Sequence, residues 1–190
     1  MIKLCAGVLL GIISISLGQE ISLLPKSVTP LNVTIEEIVY RSRKALHVTE
    51  IDESGESMAI VKDHQFLNGT IEAEIAGMPL PSANATARGF IGIAFRVNRT
   101  DSLRYDCFYI RPTNGRAEDQ VRRNHSTQYI AHPSFTWQML RKEYPLKYES
   151  YADIVEGEWT KVKITVKGKQ AKLYLHDLPQ PVLIVNELLN

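Results

Sequence analysis

The sequence predicts an all-β sandwich, and three stretches carry that prediction. In EWTKVKITVKGKQAKLYLH, residues 158–176, Val162, Ile164 and Val166 alternate with Lys161, Lys163, Thr165 and Lys167, and the alternation resumes after Gly168-Lys169 in Ala171, Leu173 and Leu175. A two-residue loop with glycine first suits a type II′ turn, which pairs Val166 with Ala171, Ile164 with Leu173 and Val162 with Leu175 on one face. A hairpin alone is marginal in water, so that face needs another sheet to lie on. The second stretch is Thr70–Ile75, where Ile71, Ala73 and Ile75 face inward and Glu72 and Glu74 outward. The third is Phe90-Ile91-Gly92-Ile93-Ala94-Phe95, apolar on both faces as a central strand should be.

The chain opens with Lys3, an apolar run from Leu4 to Leu17 and small residues around Ser16-Leu17-Gly18. That is the pattern of a secretory signal peptide over residues 1–19, cut after Gly18 or Gln19. The run is short of the roughly 20 apolar residues a bilayer span requires, so no membrane span is expected after cleavage. Residues 20–190 then read as one β-sandwich domain, secreted or periplasmic. Cys107 is the one cysteine of that mature chain. No disulfide can form within it, and the core must be held by packing. Lys and Arg number 22 against 21 Asp and Glu, a near balance that gives no whole-protein reason to expect a nucleic acid partner.

Along the chain, residues 31–41, LNVTIEEIVYR, fit a strand continued by an extended Ala45–Ile51, although Thr34 and Glu37 could also form the capping box of a short helix. Asp52-Glu53-Ser54-Gly55-Glu56 is a turn into Met58–Val61. A Pro/Ala/Asn-rich loop covers 78–87. In the strand Leu103–Arg111, Phe108 and Ile110 pointing inward put Tyr105, Cys107, Tyr109 and Arg111 on the opposite face. From Pro112 to Glu156 the chain reads as a long irregular insertion, with Phe135–Arg141 able to form a helical turn. Loops of that length in compact domains are functional or disordered, and its aromatic content argues against disorder.

The order FLNGTIEAEI, GFIGIAFRV, YDCFYIRPTNG, GEWTKVKITVKGKQAKLYL resembles the concanavalin A-like lectin and glucanase superfamily, and within it the secreted bacterial laminin-G-like and 3-keto-disaccharide-hydrolase-like domains. The resemblance covers roughly residues 45–185. It implies a two-sheet antiparallel jelly roll, with sugar bound on the concave sheet or its rim loops. Members usually add a Gly-Ile-Gly-Leu-like strand and a closing Phe-x-Asn strand; this sequence stops at Asn190 without them, so the sandwich either lacks its last strands or closes differently. Five N-x-Ser/Thr triplets begin at Asn32, Asn68, Asn84, Asn98 and Asn124. With a bacterial resemblance, Asn and Ser/Thr in turns and strand ends account for them without glycosylation.

Sandwich-fold glucanases carry three acids on one strand at alternate positions, so that two reach a single glycosidic bond. Glu50-Ile51-Asp52-Glu53 lacks the third acid and runs into a turn, and Glu72 and Glu74 are a solvent-facing side. Cys107 reads as a small buried hydrophobe rather than a nucleophile. No His or Cys spacing indicates a metal, and no cofactor is expected, with a structural calcium left open. The constellation that remains is Arg96, Tyr109, Arg111, Asn114, Arg116, Arg122, Gln128, Tyr129 and Trp137: aromatic faces for the C–H surface of a sugar and planar polar groups for its hydroxyls. Arginines there could also hold a uronate carboxylate in bidentate fashion. The partner expected is therefore a carbohydrate or polysaccharide, with a laminin-G-like adhesion module as one alternative. The other is a glycan-active hydrolase, for which Asp119 and His125 would be the acid and base and must converge on one substrate.

Overall fold

A computed structural model describes residues 18–52 and 55–190; the apolar N-terminal segment read as a signal peptide therefore lies outside the described residues, but for its last two. The chain is mostly β, with four antiparallel sheets, which fits an all-β sandwich. It divides into two compact units, one ending at His64 and the other spanning Gln65–Asn190, a boundary the sequence pattern did not announce.

In the first unit a 3₁₀ turn at Pro25–Ser27 leads into β1 (Val28–Leu31), which pairs with β4 (Met58–Val61). Between them β2 (Val33–Tyr40) and β3 (Arg43–Glu50) form a hairpin, so residues 33–40 are strand and not helix. Its two-residue loop is Arg41-Ser42, both at positive φ (46° and 64°), the type I′ geometry that favours Asn-Gly because a Cβ is strained there. Replacing Arg41-Ser42 by Asn-Gly is expected to stabilise this hairpin by about 1 kcal/mol, measured as a rise in the urea midpoint of the first unit.

In the second unit β5 (Gly69–Ile75), β10 (Thr160–Lys167), β11 (Gln170–Leu175) and β12 (Leu183–Val185) form one sheet in the order β12-β11-β10-β5. The other is the meander β6 (Ile91–Asn98), β7 (Arg104–Ile110), β8 (Thr127–His132) and β9 (Glu149–Ser150). The β10–β11 register is the one its alternation dictates: Val166 opposite Ala171, Ile164 opposite Leu173, Val162 opposite Leu175. Gly168 takes φ +56° and Lys169 stays at negative φ, as a type II′ turn requires. Glu72 and Glu74 stand opposite Lys163 and Lys161, which makes them cross-strand charge partners. Both sheets contribute to one core, with Phe95, Phe108, Ile110 and Tyr129 from the first four-stranded meander and Val162, Ile164, Leu173, Leu175 and Val185 from the other.

The reading of 112–156 as irregular needs correction. It supplies β8, the third strand of the meander, the short β9, and three helices: α1 (Pro112–Gly115), α2 (Gln120–Asn124) and α3 (Trp137–Glu143). Thr127, Gln128, Tyr129 and Ala131 are all buried, so the strand shows no alternation of polar and apolar letters.

Asp106 lies on the inward face of β7 with Phe108 and Ile110, fully buried. It accepts a hydrogen bond from the Tyr129 hydroxyl, which in turn accepts from the Leu189 amide. Burial pushes the Asp106 carboxyl above the ordinary 3.8, against the opposing pull of the Tyr129 hydroxyl, Arg96 and the Asn190 backbone. The native state then holds this proton more tightly than the unfolded chain. The stability Asp106 supplies is complete below about 3.8 and is lost as pH rises from there to the raised native value. Urea midpoints of wild type and Asp106→Asn between pH 3.5 and 7 should diverge, the variant gaining on wild type as pH rises. A difference independent of pH would contradict this.

The five N-x-Ser/Thr asparagines all have structural work. Asn84 and Asn98 accept from the amides of Thr86 and Thr100, each 2.8 Å away, as Asx turns do. Asn68 accepts from the Gly168 amide at 2.7 Å, Asn32 donates to the Asp52 carbonyl and Asn124 accepts from Gln120.

Candidate functional site

Strand parity builds the site. Phe108 and Ile110 enter the core, so Cys107 and Tyr109 stand on the outer face of the meander, and register places Gly92, Tyr109, Gln128 and Glu149 side by side across four strands. Gly92 is glycine for a steric reason: a Cβ there would stand 2.5 Å from Tyr109 Cβ and 2.4 Å from the Phe108 carbonyl oxygen. Just beyond β7, Arg111 turns its guanidinium back over this row. The Arg111 amide donates to the Ser126 carbonyl, which anchors the start of α1.

The guanidinium of Arg111 is the hub, only 4% of the residue being exposed. Nη1 donates to the His125 carbonyl at 2.9 Å, and Nη2 donates to the Tyr109 hydroxyl at 2.8 Å and to Gln128 Oε1 at 3.2 Å. Its Cζ lies 4.9 Å from the Tyr109 ring centroid, 5.8 Å from Phe90 and 5.9 Å from Trp137. Phe90 is 57% exposed and Trp137 38% exposed, so two partly exposed aromatic rings stand beside a buried cation. Burial, above all, lowers the proton affinity of Arg111, with the neighbouring charges of Arg141 and Arg88 acting in the same direction. Burial pushes the Tyr109 hydroxyl up to about 12, which keeps it a neutral partner.

A second cation stands alongside. Arg141, on α3, grips the buried Glu149 carboxylate with Nη2 at 2.7 Å and Nε at 3.2 Å, and its Cζ lies 4.8 Å from the Trp137 ring. His125 Nδ1 stands 2.8 Å from Glu149 Oε2. Burial holds the His125 pKa below its usual value, so the ring is neutral at pH 7.

The structure brings Tyr109, Arg111, Asn114, His125, Gln128 and Trp137 into this one cluster; Asn114 Nδ2 shares the His125 carbonyl with Arg111, at 3.3 Å. The other candidates lie elsewhere. Tyr129 follows Gln128 on the same strand and therefore faces the core, fully buried. Arg96 sits in a bulge of β6 at φ +54° and ties the Leu67 carbonyl to that of Gly168. Arg116 forms an exposed bidentate pair with Asp153, and Arg122 donates to the Thr113 carbonyl.

Asp119 is the N-cap of α2, accepting from the amides of Val121 and Arg122. His125 is the C-cap of that same helix, about 9 Å away at 1.5 Å per residue.

Phe90, Arg141 and Glu149 belong to the site and were not among its sequence candidates. Phe90 reads as part of a two-faced apolar strand, yet it precedes β6 and its ring meets Tyr109 edge-on at 5.9 Å. Among the described residues no group of three or more His, Cys, Asp or Glu is placed to hold a metal ion. Nor is any helix among them long and apolar enough to cross a membrane. No family model, curated protein or solved structure matches this chain.

Proposed function

We propose that the larger unit is a carbohydrate-binding module of concanavalin A-like, jelly-roll kind, exported from its cell, that takes a sugar on the outer face of the β6–β9 sheet. One observation carries this reading. Phe90 and Trp137 present partly exposed rings, 5.8 and 5.9 Å respectively from the guanidinium carbon of a hydrogen-bonded polar group, Arg111 with Tyr109 and Gln128. Apolar faces for C–H surface, set beside a few fixed polar groups, are what a sugar requires of a site.

A screen of glycans and polysaccharides against the chain lacking residues 1–19, with product analysis on every hit, tests the reading. Each of Phe90→Ala and Trp137→Ala should weaken binding by about tenfold, the worth of roughly 1.4 kcal/mol of lost ring contact, and release no product. Phe90 is exposed enough that its removal should hardly move the thermal midpoint, whereas the more buried Trp137, which lies against Arg111 and Arg141, should lower it. Failure of the unaltered protein to bind any glycan overturns the proposal, and product release transfers it to a hydrolase.

A further inference from the structure

We infer that this face selects a carboxylate-bearing sugar, a uronate whose ring lies on Phe90 and Trp137 while its carboxylate accepts from the Nε–H of Arg111. This rests on the carbohydrate-binding reading and narrows it to one substrate class.

The argument starts from the partners Arg111 has and those it does not. All three of its acceptors are neutral: the His125 carbonyl, the Tyr109 hydroxyl and the Gln128 amide oxygen. Its Nε–H has no acceptor among the described residues, and Nε is not one of the polar atoms sealed away from solvent. A cation this buried, with two of its five N–H groups, on Nε and Nη1, left without an acceptor among the described residues, gains most from an anion that reaches one of them.

Charge points the same way. Arg88 and Arg141 lie close enough to oppose the charge of Arg111, whereas one carboxylate, Glu149, favours it. That carboxylate is already gripped by Arg141 through Nε and Nη2. Three guanidiniums against a single carboxylate leave the cluster in positive excess, which a neutral sugar does nothing to relieve. With both Nη2 hydrogens taken by Tyr109 and Gln128, a carboxylate oxygen is left the Nε–H to accept from, and an attached pyranose supplies the C–H surface for the two rings.

The test is calorimetric titration of the chain lacking residues 1–19 with oligogalacturonate, oligomannuronate, oligoguluronate and oligoglucuronate, each beside its carboxyl-reduced twin, and with a sulfated carrageenan tetrasaccharide, which carries no carboxylate. At least one uronate should bind about 10- to 100-fold more tightly than its reduced twin, the worth of one hydrogen bond to a charged group. Arg111→Lys keeps a cation but loses the Nε–H, and should shrink that ratio. If the variant folds poorly, the paired ligands on the unaltered protein still decide. Equal binding of acid and reduced twin overturns the inference and leaves the glycan reading standing. Binding of the sulfated sugar without any uronate overturns the carboxylate assignment. Neutral glycans bound with no uronate bound also overturns it, and no glycan bound at all overturns both readings.

Discussion

Glu149→Gln is expected to destabilise the second unit by about 3 kcal/mol, the lower end of the range for breaking a buried ion pair from one side. The Glu149 side chain is 3% exposed and offers both oxygens to Arg141. An amide of the same shape presents an N–H₂ where Arg141 also presents N–H groups, so one of the two contacts becomes donor against donor. The charge lost is the one that offsets Arg141 and favours the charged form of Arg111, and both guanidiniums keep their positions with less compensation. Urea denaturation should show a lower midpoint at unchanged slope. Pairing the variant with Arg141→Met should recover part of the loss, because the double variant buries neither charge. A Glu149→Gln midpoint within error of wild type would mean that the pair contributes nothing. The exposed Arg116–Asp153 pair is the natural contrast, since solvent screens it and its removal should change stability little.

The parts of this molecule that could be read from letters are those where burial alternates with exposure. Val162, Ile164 and Val166 alternate with lysines, and the hairpin register follows from that pattern and its Gly-first turn. The pairing of Tyr109 with Arg111 followed from parity alone, once Phe108 and Ile110 were turned inward. β8 defeated the same logic, because Thr127, Gln128 and Tyr129 are buried on both faces and a buried Gln reads as loop. Asp106 was hidden for a related reason: its parity puts it in the core, where a carboxyl survives by taking the Tyr129 hydroxyl from an adjacent strand. Arg96 reads as a strand residue able to join the binding constellation, and only the left-handed bulge shows that it is a tie between loops. Arg141 and Glu149 join the site through the docking of α3 and β9, and Phe90 from the residue just before β6, a matter of tertiary approach that no local spacing encodes.

Gly115→Ala should prove nearly as damaging as the loss of Glu149, at about 3 kcal/mol, although it adds a single methyl group. A Cβ on Gly115 would stand 2.3 Å from the Ile154 carbonyl oxygen and 2.7 Å from the Ile154 nitrogen. Both obstacles are backbone, and Ile154 is itself held in the core, so no side chain can rotate out of the way. The helix α1 must move instead, and it carries Asn114, which shares the His125 carbonyl with Arg111. For a unit of this size the loss corresponds to a fall of about 10 °C in Tm. Gly168→Ala calibrates the measurement: nothing stands within 4 Å of its added methyl, and its cost is the positive φ of the turn alone, about 1 kcal/mol. A Gly115→Ala variant no less stable than Gly168→Ala would show that α1 is free to shift. The hydrogen bonds that fix Arg111 beneath the exposed rings would then lack the rigid support on which their geometry depends.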